Sequence, residues 1–160
     1  MDDWQGCLAP QCQTALLQAR NNVASRGGSV ITVEDYLLAL LDAVPEAVSF
    51  LKRQGVDLDE LIRTIQGEQP IVAEVRGDGD LSSQLIYWIS STREATDQPW
   101  LDWPVLLHGL VHLAERLQDK AYVAVLELVD IEELMAFLLS AIAALKSRWA
   151  WETEDSRSGV

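Results

Sequence analysis

The chain has 160 residues, 25 acidic against 12 basic, and a formal net charge of −13. Apolar residues make up 49% of it, which excludes a disordered acidic tail, because enough hydrophobic surface is present to build a core. The acidic balance repels phosphate backbones and anionic lipid, so the sequence argues against nucleic-acid and membrane partners and otherwise serves solubility.

Leu8, Cys12, Ala15, Leu16, Ala19 and Val23 recur at helical spacing, so a first amphipathic helix is predicted to end before Gly27-Gly28. Thr32-x-x-Asp35 resembles a capping box and opens a second helix, whose buried face is Tyr36, Leu37, Leu40 and Leu41. Pro45 suits the first turn of a third helix and Gly55 its end. Asp57-x-x-Glu60 starts a fourth, with Leu58, Leu61, Ile62 and Ile65 at helical spacing.

Residues 67–80 change character: Gly67, Pro70, Gly77 and Gly79 alternate with acids and read as a linker, with room for a short strand at 71–75. Helical patterning then resumes over 81–96, 102–113, 119–126 and 130 to about 149, and 151–160 reads as a disordered tail. No basic, apolar signal peptide opens the chain and no apolar run is long enough to span a bilayer, so a cytoplasmic protein is expected.

The two halves match. A shift of 73 places Leu8, Gln11, Cys12, Leu16 and Arg20 on Leu81, Gln84, Leu85, Ile89 and Arg93, and 56–61 on 129–134. Between these blocks a shift of 70 places 36–40 on 106–110. The expectation is an all-α fold of eight helices in two pseudo-symmetric four-helix repeats, with domains at 1–66 and 81–150.

The segments Leu8-x3-Cys12-x2-Ala15-Leu16-x2-Ala19, Ile31 to Leu41 and Leu51-x3-Gly55-Val56-Asp57-Leu58 resemble the N-terminal domain of the Clp family of AAA+ unfoldases. Residues 8–12 and 76–82 are loosely similar to the ClpV branch of type VI secretion. The resemblance implies a bacterial, non-catalytic docking module that receives a substrate or adaptor for an ATPase ring. In the ClpV branch it implies a groove beside the first helix that grips a helix of the contractile sheath. No phosphate-binding loop is present, so no ATPase activity is expected of this chain. Some Clp N-domains bind phosphorylated arginine through a glutamate and a threonine in each repeat. Here those positions are Glu34 and Ala9, then Pro104 and Ser82, and the missing donors argue against that activity.

The expected partner is a protein or peptide offering an apolar or amphipathic helix, docked by some of Trp4, Leu8, Cys12 and Leu16, with Trp100 and Trp103 as further candidates. Trp88 falls on the core stripe. Cys7 and Cys12 are expected to be reduced thiols. His108 and His112 share a helix face at i, i+4, but the segment lacks the glutamate of H-E-x-x-H, and no metal or cofactor is expected. The acids at 57–60 and 130–133 recur at equivalent places, as helix caps should. The alternatives are a free-standing adaptor or inhibitor that keeps the fold, and a metal-dependent hydrolase using His108 and His112.

Overall fold

The computed structural model describes residues 8–69, 80–96, 100–130 and 132–137. Trp4, Cys7, Trp149, Trp151, the possible strand at 71–75 and the tail lie outside them. The chain divides into two compact units, Met1–Val129 and Asp130–Val160.

Each helix of the first unit starts and stops for a local reason. Helix α1 (Pro10–Ser25) begins on a proline, whose fixed φ and missing N–H cost nothing in a first turn. It ends in a Schellman turn: Gly28 N donates to Val23 O at 2.9 Å while Gly27, at φ +81°, takes the left-handed conformation. Helix α2 (Val33–Ala43) opens with a complete capping box, Asp35 N donating to Thr32 Oγ1 and Thr32 N donating to Asp35 Oδ2. Helix α3 (Pro45–Arg53) closes with a second Schellman turn at Gly55 (φ +86°), where Val56 N donates to Leu51 O. Asp57 caps α4 (Leu58–Glu68) by accepting from the amides of Asp59 and Glu60.

In the second half, Ser82 caps α5 (Ser83–Ala95) and Asp102 caps α6 (Trp103–His108). The predicted helix over 102–113 is regular only to His108 and widens into a π-turn, Gly109–Leu113, closed by Ala114 N donating to Gly109 O at 2.8 Å. A 3₁₀ turn (Glu115–Leu117) leads to α7 (Ala121–Leu126). That helix starts two residues later than the pattern suggests, because its first amide donates to Glu68 Oε1 of α4 and not to Asp119. In the second unit, residues 132–137 are helical (α8), and Asp130 accepts from the amides of Glu132 and Glu133 as Asp57 does for α4.

The fold is all-α, and the duplication is written into the backbone of the first unit. Ala9 N donates to Leu101 O at 3.0 Å, and the equivalent Ser82 N donates to Ile31 O at 2.9 Å. In each case the residue that enters the first helix of one repeat bonds the residue that enters the second helix of the other. The strand pairs are correspondingly small, a parallel Val30–Ile31/Asp80–Leu81 ladder and a single Leu8/Leu101 bridge. Crossing the halves in this way makes them one core. Trp88 is fully buried, stacks obliquely on Tyr36 at 5.7 Å and donates its indole N–H to Leu106 O. The Tyr36 hydroxyl donates in turn to Cys12 O, so both large polar aromatics enter the core with their hydrogen bonds satisfied.

Candidate partner-docking site

The residues that start α1 meet the residues that start α6. Leu8 pairs with Leu101, and Gln11 Nε2 donates to Asp102 Oδ1 at 2.8 Å. The Cys12 thiol lies 3.6 Å from the same oxygen, which also accepts from Trp103 N at 2.8 Å. One carboxylate therefore caps α6 and holds α1 against it. The two places singled out in the sequence, the stripe on the first helix and the Trp100/Trp103 pair, converge on this junction.

Most of those residues are inside it. Leu8, Cys12, Leu16 and Trp103 are buried, and Trp103 rests against Phe50 with ring centroids 5.6 Å apart. A stripe at helical spacing marks the side of a helix that faces the core. These four lie beneath the surface, and Trp100, at 42% exposure, is the one of the described candidates that solvent reaches freely. Burial, then the charge of Asp102 and its hydrogen bond, push the Cys12 thiol far above its ordinary pKa, so it is held as an inert thiol.

What α1 offers outward is an unusual surface for so acidic a chain. Its exposed positions include Gln13, Thr14, Leu17 and Asn21, and Arg20 is the helix's single charged residue. Leu17 is 58% exposed. Beside it, Gln18 donates to Asp42 at the end of α2, fixing the edge of the surface. The sequence pattern missed Leu17 because it follows Leu16 and sits off the apolar stripe. A leucine on the polar side of a helical wheel was the available signal.

Glu34 is committed elsewhere. It is 5% exposed and accepts the Tyr122 hydroxyl hydrogen bond across the repeats. Burial raises its pKa, against the pull of Tyr122 and Lys120. Its neighbour Asp35 shifts the other way: burial pushes it up, but hydrogen bonds from Thr32, Gln69 and Arg26 outweigh burial and hold it low. Ser82 is spent on capping α5, and Pro104 is buried in the first turn of α6. Of the four positions that the family resemblance links to phosphoarginine, Glu34 and Ser82 are held by internal bonds, and Ala9 and Pro104 are buried.

The rings of His108 and His112 lie 5.4 Å apart, and burial, with His112 beside it, lowers the His108 pKa. Among the described residues no third ligand joins them into a metal-binding group. Among them too, no helix is long and apolar enough to cross a membrane.

No protein-family model matches the chain, and no curated protein matches it. Solved structures do. The N-terminal domain (1–163) of the ClpV1 ATPase from the Sci1 type VI secretion system of E. coli EAEC superposes with a TM-score of 0.71 at 21% identity, covering 83% of this chain and 84% of that one. A structure from work on the coevolution of the ATPase ClpV, the TssB-TssC sheath and the accessory HsiE protein in two type VI secretion classes gives 0.68 at 15% identity. It covers 86% of this chain and 89% of its own. At such identities the likeness is one of fold: this chain has the fold of a ClpV N-terminal domain.

Proposed function

We propose that the chain is a non-catalytic docking module, of the Clp N-domain kind, that presents the outward face of α1 to a helical segment of a protein partner for an AAA+ unfoldase. The supporting observation is the surface of α1: exposed, nearly free of charge, and centred on Leu17 in a chain of net −13. Depletion of charge is the compositional mark of the buried centre of an interface. The junction beneath, through Asp102, Gln11 and Cys12, keeps the helix rigid, which lowers the ordering cost of binding. Trp100, close in sequence to the Leu101 that pairs with Leu8, supplies a further exposed anchor at the N-terminal end of α1.

The fold directs the choice of partner. Its neighbours are domains of the ClpV ATPase, so the first candidate is a type VI secretion sheath assembled from TssB and TssC. Bio-layer interferometry of the chain against purified TssB–TssC complex tests this. Leu17→Asp should weaken capture by at least about tenfold, the loss of one well-placed apolar contact and the cost of desolvating a charge. Its melting temperature should stay that of the parent, because Leu17 contributes little to the core. Undiminished capture by Leu17→Asp would place the site elsewhere.

A further inference from the structure

His108 closes α6 and His112 lies in the π-turn that follows it, so the helix widens between them. Such widened turns recur at functional sites. This one is held from two sides. Gly109 packs against the buried Thr92 of α5, and Gln118 Nε2 donates to Leu110 O at 3.1 Å and to Ala114 O at 3.2 Å. The two imidazoles are thus carried on a fixed stretch of backbone, with ring centroids 5.4 Å apart. His112 is exposed and His108 half-buried, so the pair opens to solvent. The cation nearest to them in sequence, Arg116, lies over the Tyr87 ring at 4.7 Å.

We propose that His108 and His112 form a two-imidazole site for one late first-row divalent cation, with copper(II) preferred over nickel(II) and zinc(II). The spacing of the rings carries the proposal. Metal–nitrogen bonds of about 2.0–2.1 Å put each ring centroid about 3.2 Å from a shared ion. With roughly 90–110° between the two bonds, the centroids then stand about 4.5–5.2 Å apart. The observed 5.4 Å is close enough for a small side-chain rotation to close the site. Imidazole nitrogens suit this class of metal, whereas magnesium and calcium take oxygen ligands, and affinity within the class peaks at copper. Among the described residues no third ligand completes a closed site, so the remaining positions go to water. The net charge of −13 concentrates cations around the chain without choosing among them. A hydrolase of the H-E-x-x-H kind needs the glutamate that is missing here, but holding a cation needs only the imidazoles. The expectation of no metal, drawn from that missing glutamate, is thereby revised.

Calorimetric titration of copper(II), nickel(II) and zinc(II) chloride into the full chain tests this. A Cys7→Ser background removes a competing thiol, and excess magnesium occupies surface carboxylates. One ion should bind per chain, most tightly for copper(II). His108→Ala and His112→Ala should each weaken binding by at least about tenfold, because loss of either ligand ends the chelate. Bound metal should raise the melting temperature of the parent and of neither variant. His112 is exposed, so its variant reads the metal contact even if His108→Ala destabilises the chain. Affinity unchanged by His112→Ala would overturn the shared site. Equal binding by the double variant, or no stoichiometric binding by the parent, would overturn it as well and leave the two rings simply packed together.

Discussion

Gly109 lies so close to Thr92 that a Cβ built on it would stand 2.0 Å from the threonine Oγ1. Thr92 is fully buried and donates to Trp88 O at 2.9 Å, so it has nowhere cheap to move. The equivalent pair in the first repeat is Ala39 and Ala19, both buried. The two halves thus fill the same helix crossing with the same total volume, divided as Ala and Ala in one and Gly and Thr in the other.

Gly109→Ala sets two effects against each other. Helix propensity favours alanine by about 1 kcal/mol, while overpacking of a tight core costs about 1–3 kcal/mol, and a contact at 2.0 Å lies at the severe end. The substitution should destabilise the chain by about 1–2 kcal/mol in urea denaturation. Adding Thr92→Ala recreates the first repeat's pair and should recover most of the loss, a coupling of at least about 1 kcal/mol. Additive effects would show that the two residues do not share the crossing as described.

Glu34 and Asp35, side by side, should bend the pH–stability curve in opposite directions. The Glu34 pKa is raised in the folded state, so its favourable contribution is present at acid pH and is lost as pH rises through the folded value. Glu34→Gln should therefore match the parent at acid pH and equal or exceed it in stability at neutral pH. Asp35 is lowered, so its contribution is present at neutral pH and disappears as pH falls through its folded value. Asp35→Asn should cost about 1–2 kcal/mol at pH 7, the range of a lost cap with charge-assisted bonds, and progressively less in acid. Thermal melts between pH 3 and 8 read both trends.

Removing the hydroxyl that serves Glu34 should be worse than removing the charge it serves. Tyr122→Phe leaves a buried carboxylate short of its donor and should cost about 2–3 kcal/mol at neutral pH. In the Glu34→Gln background the same substitution should cost about half as much. Equal losses in both backgrounds would mean the pair does not act across the repeats.

Cys12 should not react with an aromatic disulfide reagent in the native state. In a Cys7→Ser background the thiol should be modified only as fast as the chain opens, since it is fully buried and its thiolate strongly disfavoured. Rapid native labelling would contradict the described junction.

The fold was legible where it rests on local chemistry. Thr32, Pro45, Gly55, Asp57 and Asp130 act at helix ends as their residue types dictate, and the 73-residue shift carries Pro10–Ser25 onto the helix that begins at Ser83. Three features were not legible because they depend on distant partners. The late start of α7 needs Glu68, the π-turn lies where Gly109 meets Thr92, and Glu34 is consumed by Tyr122. The candidate site was half legible: periodicity marks the inward side of α1, because burial is what periodicity reports. The outward side is told by a weaker signal, an exposed leucine, Leu17, on a helix whose single charged residue is Arg20.

Hydrogen–deuterium exchange of the chain, alone and saturated with purified TssB–TssC complex, tests the docking of α1 most directly. Peptides covering residues 10–25 should gain protection well above that of α3 and α4, with Leu17→Asp abolishing the gain. Protection confined to other helices, or none in a complex shown to have formed, would contradict it.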